Sequence, residues 1–171
     1  MIKSFDFYFD FVSPYSFLAH KEIRKIEKKN LIKIKYKAIL LGGLHNLHGI
    51  KAPAFIPAKA KHMVRDCKLI AEKNKIKFKF NSYFPIRSLN LMRGVLVAEE
   101  DNFKNYYIDS IFDSIWQDGL NMNDENIIQK VLKNLNINPK TFLLRSTSYS
   151  IKDSLKKKTN KSQKRPIKKL K

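Results

Sequence analysis

Residues 5–16 read FDFYFDFVSPYS, and this stretch constrains the fold more than any other part of the chain. Phe5, Phe7, Phe9 and Phe11 alternate with Asp6, Tyr8 and Asp10, the period of a β-strand with one packed face. A turn follows at Ser13-Pro14-Tyr15-Ser16, and a helical run then opens with Phe17, Leu18 and Ala19. Ser13 suits the N-cap position, and Pro14 suits the first helical position, where a missing N–H costs nothing. A strand that runs into a Ser-capped helix aims backbone N–H groups and the positive end of the helix dipole at one point.

The residue types at that point limit its chemistry. Cysteines at 13 and 16 would make the CxxC of a disulfide oxidoreductase, but both positions are serine, so the attacking sulfur of that chemistry is missing. A serine hydroxyl is a weak nucleophile without an adjacent base, and no histidine lies in the motif. Two readings stay open. Ser13 is a helix cap and nothing more, or its hydroxyl donates to a thiolate brought by another molecule. Tyr15 likewise has two readings, packing under the helix or lining a substrate pocket.

Periodicity predicts the remaining elements. A helix over residues 17–29 turns Leu18, Ile23 and Ile26 inward and a Lys/Glu face outward. Residues 31–39 alternate Ile32, Ile34, Tyr36 and Ala38 with lysines, a second strand that completes a βαβ unit. Gly42 and Gly43 end it and open a loop to about residue 56. Helices are predicted at 57–74, 88–99 and 102–117, the last with Phe103, Tyr107, Ile111 and Ile115 in one stripe and Trp116 in the core. Asp124 caps a short helix to about residue 133, and Pro139 starts another.

Composition excludes several classes. The chain has 171 residues, the length of one domain with room for a core. No apolar run reaches the length of a membrane span, and residues 1–20 lack the pattern of a signal peptide. One cysteine, Cys67, excludes an intramolecular disulfide and fits a cytoplasmic location; its place in the helical pattern Met63, Cys67, Ile70 marks it as a small buried apolar residue. His45 and His48 lie three apart in the glycine-bounded loop without a third ligand, so no metal site is expected. The net charge is +20; residues 152–171 carry ten Lys/Arg against Asp153 alone. The other basic residues are spread along the chain without a nucleic-acid-binding module, so no specific nucleic-acid partner is expected.

Several segments together resemble a known family. FYFDFVSPYSFLA, LLGGLHNLHGIKAP, IPAKAKHMVRDC, FPIRSLNLMRG and SIWQDGLNMND look like 2-hydroxychromene-2-carboxylate isomerases, relatives of kappa-class glutathione transferases and of DsbA-type oxidoreductases. The likeness covers roughly residues 2–145, in the family's order. It implies an α/β fold, a thioredoxin-like βαβ (1–54) with an inserted helical domain (55–149). It also implies an enzyme that uses glutathione, with a small-molecule substrate and a homodimeric assembly. Ser13 would then be the catalytic donor to the glutathione sulfur, Lys51 and Lys59 would bind the cofactor's carboxylates, and Tyr15, Asn90 and Arg93 would face the substrate. For Lys51 and Lys59 the spacing alone reads as solvated surface lysines, and for Arg93 a structural role stands beside the functional one. Ile50 stands where relatives commonly carry Asn after Gly, which leaves one polar contact unaccounted for.

The end of the chain departs from the family. A complete thioredoxin-like domain adds a strand preceded by a cis-proline, a hairpin partner and a closing helix, and no such pattern follows residue 145. Residues 150–161 still look like the family's helix leading to that segment, and SQKRPIKKLK then reads as a basic, disordered tail. The expectation is a C-terminally truncated or frameshifted copy, with residues 150–171 as residual helix and tail. Three functions follow: a glutathione-dependent isomerase acting on 2-hydroxychromene-2-carboxylate-like intermediates of aromatic degradation, a kappa-type glutathione S-transferase, or a non-catalytic remnant.

Overall fold

The computed structural model describes residues 3–29 and 32–163. The first strand, β1, spans Lys3–Phe9, and helix α1 spans Pro14–Lys28. Strand β2, Ile32–Ala38, returns parallel to β1 in a register that sets Phe7 against Tyr36 and Phe9 against Ala38. This is the expected βαβ unit. The alternation in β2 survives folding: Tyr36 and Ala38 are buried, while Lys33 and Lys35 are exposed. In β1 the burial grows along the strand, from Phe5, half exposed, to Phe9, which is buried. Among the described residues the sheet consists of β1 and β2.

The remaining regular elements of the described chain are helical: α2 (Leu41–Leu47), a 3-10 turn (Pro53–Phe55), α3 (Pro57–Lys73), α4 (Leu89–Glu100), α5 (Lys104–Trp116), α6 (Glu125–Asn134), α7 (Pro139–Ser146) and α8 (Tyr149–Gln163). Two caps read from the sequence, Ser13 and Asp124, are in place, and a third stands at Asn138. Ser13, Asp124 and Asn138 each accept a backbone N–H from the first turn of α1, α6 and α7, and Pro14 and Pro139 open two of those helices.

Helix α4 is the pivot of the helical block. Its sequence LNLMRGVLVAEE is apolar nearly all round, and Leu91, Met92, Val95, Leu96, Val97 and Ala98 are buried as α5, α7 and α8 pack about it. An aromatic seam joins this block to the βαβ unit. The Phe11 ring meets Phe112 of α5 edge-on with centroids 4.8 Å apart, and the indole N–H of Trp116 donates to the Phe11 carbonyl at 2.9 Å. Trp116 is therefore in the core, as its place in the sequence suggests, and each such buried ring contributes on the order of 2–3 kcal/mol.

Three expectations need correction. The segment after β2 is not a continuous loop: residues 41–47 form α2. On α1, Ile26 is 37 % exposed, and the inward position is taken by His20, which is fully buried. The β1 pattern ends at Phe9, so Phe11 belongs to the turn, not the strand. The basic tail expected from residue 164 onward lies outside the described residues. No helix among them is long and apolar enough to cross a membrane.

Candidate functional site

The site is built where β1 gives way to α1. The chain turns at residues 10–13, with the Ser13 N–H donating to the Asp10 carbonyl at 3.1 Å. Ser13 takes an extended backbone conformation, and its Oγ accepts the Ser16 N–H at 3.2 Å while its carbonyl accepts the Phe17 N–H. The Oγ is used here as an acceptor, so its own hydrogen remains available to donate. Pro14 has no N–H, and the Tyr15 N–H makes no hydrogen bond within the described chain. One hydroxyl, one unused amide and the helix dipole thus converge at a half-buried surface position, an arrangement suited to an anion.

Tyr15 stands beside it, 40 % exposed, and donates its hydroxyl to Asp66 of α3 at 2.8 Å. Burial and the neighbouring Asp66 carboxylate both push its phenol pKa well above the ordinary value. The same contact places Lys59, since residues seven apart share a helix face and lie about 10 Å apart along the axis. Lys59 is exposed on the α3 face that Asp66 turns toward α1. Lys51 lies between α2 and the 3-10 turn, also exposed. Cys67, one residue beyond Asp66, is fully buried, and burial pushes its thiol up to about 12, so it stays protonated as the apolar residue its pattern suggests.

Behind the turn lies a group that sequence reasoning missed. Asp10 is 1 % exposed, with Oδ1 accepting the Val12 N–H at 3.1 Å and Oδ2 the Leu41 N–H at 2.8 Å. The Ser88 hydroxyl also bonds to it, and burial outweighs all three bonds in pushing its pKa up. One carboxyl therefore joins the turn before α1 to the starts of α2 and α4. Its sequence signal was a carboxylate at the end of the Phe/Asp/Tyr alternation, where the strand gives way to the turn. A second missed cluster lies deeper, on α1. His20 Nδ1 is 3.0 Å from the Tyr36 hydroxyl, and Nε2 is 2.9 Å from Asp109 Oδ1, close but off the line of a good hydrogen bond. Arg24 closes the group, donating to Asp109 at 2.8 Å and stacking its guanidinium over Tyr36.

Asn90 and Arg93 sit one turn apart on α4 and bond to each other, Arg93 Nη1 to Asn90 Oδ1 at 3.1 Å. They face different clefts. Asn90 lines a cavity of about 530 Å³ among α4, α6 and α7; Arg93 lines one of about 590 Å³ among α2, α4 and α8. Ser13, Tyr15, Lys51 and Lys59 line neither. The structure thus sets Ser13 and Tyr15 at the α1–α3 contact, leaves Lys51 and Lys59 exposed on the segments that follow α2, and places Asn90 and Arg93 on α4 in the linings of two different clefts. Among the described residues no group of His, Cys, Asp or Glu could hold a metal ion.

A sequence profile of the DSBA-like thioredoxin domain matches residues 4–168. The chain belongs to that family. Among its relatives is a 2-hydroxychromene-2-carboxylate isomerase of Sphingobium xenophagum, 27 % identical over 128 residues, which are 74 % of this chain and 65 % of that protein. A glutathione S-transferase kappa 1 of Caenorhabditis elegans is 37 % identical over 68 residues, 39 % of this chain and 30 % of that protein. A solved 2-hydroxychromene-2-carboxylate isomerase superimposes with a TM-score of 0.83 at 22 % identity, covering 93 % of this chain and 78 % of that one. The resemblance read from the motifs therefore extends to the fold, which is thioredoxin-like, with the DSBA-type block of helices. The chain spans less than two thirds of the length of the curated relatives named here.

Proposed function

We propose that this DSBA-like protein is a glutathione-dependent isomerase acting on 2-hydroxychromene-2-carboxylate-like molecules. The observation that carries the reading is the mouth of α1, where a serine replaces the sulfur of a redox enzyme yet keeps a hydroxyl, an amide and a helix dipole on one point. Such a point suits a thiolate that the protein does not itself own. When bound, glutathione would supply that thiolate, which adds to an unsaturated substrate and later leaves. The residues of the chain act around it: Ser13 donates a hydrogen bond to the sulfur, and the α1 N-terminus favours its negative charge. Lys59, on the face shared with Asp66, and Lys51 would attract its carboxylates, and Tyr15, anchored by Asp66, would border the substrate. The relatives named 2-hydroxychromene-2-carboxylate isomerase support the reaction class.

The test is conversion of 2-hydroxychromene-2-carboxylate by the protein with and without glutathione. Turnover that requires glutathione supports the reading; turnover indifferent to it, or to Ser13→Ala, overturns it. The kappa transferase relative favours one second reading, conjugation of glutathione to an electrophile. An aryl halide separates the two, because a transferase accumulates a stable conjugate and an isomerase regenerates its thiol.

A further inference from the structure

We propose that the segment after α3, residues 76–80, is a docking edge for an extended acidic peptide. This goes beyond the reading above, since it requires neither glutathione nor Ser13. The sequence from Lys75 to Phe80 is KIKFKF, a strict alternation of cation and apolar residue. The alternation survives in the fold without a strand partner. Lys75, Lys77 and Lys79 are exposed, Ile76, Phe78 and Phe80 are half-buried, and no turn or bend interrupts residues 76–80. The aromatic side chains pin the segment to the core, Phe78 stacking on Phe17 and Trp116 and Phe80 meeting Trp116 edge-on. The carrying observation is the backbone. The Ile76 N–H closes α3 on the Ala71 carbonyl at 2.9 Å, and the Lys79 N–H donates to the Trp116 carbonyl at 2.7 Å. The N–H groups of Lys77, Phe78 and Phe80, and the carbonyls of residues 76–80, have no hydrogen-bond partner among the described residues. Unpaired backbone groups are tolerated where water reaches them, so this row stands open like the edge of a sheet.

Charge decides the occupant. Beside the segment runs a groove of about 420 Å³ whose lining includes Lys21, Lys25 and Lys28 of α1 together with Lys75 and Lys77. The acids in that lining are answered, Asp109 by Arg24 and Asp113 by Lys21. Lys28 and Lys75 have no ion pair among the described residues, and Lys77, its side chain 74 % exposed, has a loose one with Asp118 at 3.7 Å. A second copy pairing through the same segment would set lysine against lysine, which disfavours self-association. A strand that alternates acidic and apolar residues fits instead. Its carboxylates fall opposite Lys75, Lys77 and Lys79, its apolar residues follow Phe78 and Phe80, and its backbone takes up the open N–H and C=O groups.

Fluorescence anisotropy of a labelled peptide of alternating glutamate and valine, titrated with the whole chain in buffer without glutathione, tests this. Saturable binding is expected. N-methylation of alternate peptide amides should weaken it about tenfold or more in one register and little in the other, because a paired strand uses one of its edges. Lys77→Glu should weaken the peptide about tenfold, whereas Lys33→Glu, the same change of charge at an exposed position on β2, should weaken it less than about twofold. Ser13→Ala should leave it unchanged. Equal affinity of the two methylated peptides, or equal loss in the Lys77 and Lys33 variants, reduces the binding to net charge and overturns the proposal. So does the absence of saturation at millimolar concentration, whatever the outcome of the glutathione assay.

Discussion

At the scale of the residue, Ser13 has two duties that one substitution can separate. Its oxygen caps α1 by accepting the Ser16 N–H, and its hydrogen is what the proposed chemistry needs. Aspartate is as good an N-cap as serine but donates nothing and places a like charge beside a thiolate. Ser13→Asp should therefore keep stability within about 0.5 kcal/mol, while Ser13→Ala gives up about 1 kcal/mol of capping. Both should lower glutathione-dependent turnover by about a hundredfold or more, the usual cost of losing one donor to a developing anion. Denaturant unfolding and initial rates on the same preparations check the split. Full activity in the Asp variant would reduce Ser13 to a cap. The cap was legible because Ser-Pro before an apolar run is a local signal. The tie from Tyr15 to Asp66 was not, since it links residues 51 apart in sequence.

At the scale of the element, Asp10 explains why α2 forms at all. Its sequence LGGLHNL contains two glycines and no side-chain cap, which reads locally as a loop, and Leu40 at its N-cap makes no capping bond. The missing cap comes from Asp10, 31 residues away, whose Oδ2 takes the Leu41 N–H. Ser88 makes no capping bond to its own helix either, and its hydroxyl turns to Asp10 instead. Asp10→Ala should cost about 1–3 kcal/mol in global stability. Its sharper signature is local. Amide exchange should accelerate in α2 and the first turn of α4 while α5, held by the aromatic seam, stays protected. Uniform acceleration across all helices, or none, would contradict the linking role. The helices with strong stripes or local caps, α3 to α7, were visible in the sequence because their information is short-range; α2 was invisible because its information is not.

At the scale of the whole molecule, the buried ionisable groups set how the fold answers to pH. Burial lowers the pKa of His20 below its ordinary value, so on acidification the unfolded chain takes up that proton first. Stability then falls as pH drops below about 6.5. Asp109, held low by His20 and Arg24 against the opposing effect of burial, acts in the same sense further down: its contribution is present above the unfolded carboxylate value and is lost below it. Asp10 acts in the opposite sense, because its raised pKa lets the folded state hold a proton that the unfolded chain has released. Urea midpoints should therefore fall between about pH 7.5 and pH 5.5, and fall less in His20→Phe, whose ring can take the stacked place beside Phe112. An identical decline in both proteins would remove His20 as the cause. No periodicity marks His20 for burial, since its partners arrive from β2 and α5.

The most direct measurement of the central claim is the ionisation of glutathione on the protein, followed by the ultraviolet absorbance of the thiolate across a pH titration. With the native chain the bound thiol should ionise at least about one pH unit below free glutathione, and with Ser13→Ala most of that difference should vanish. A bound thiol that titrates like free glutathione, or identically in the two proteins, would contradict a serine-capped helix mouth that holds a borrowed sulfur anion.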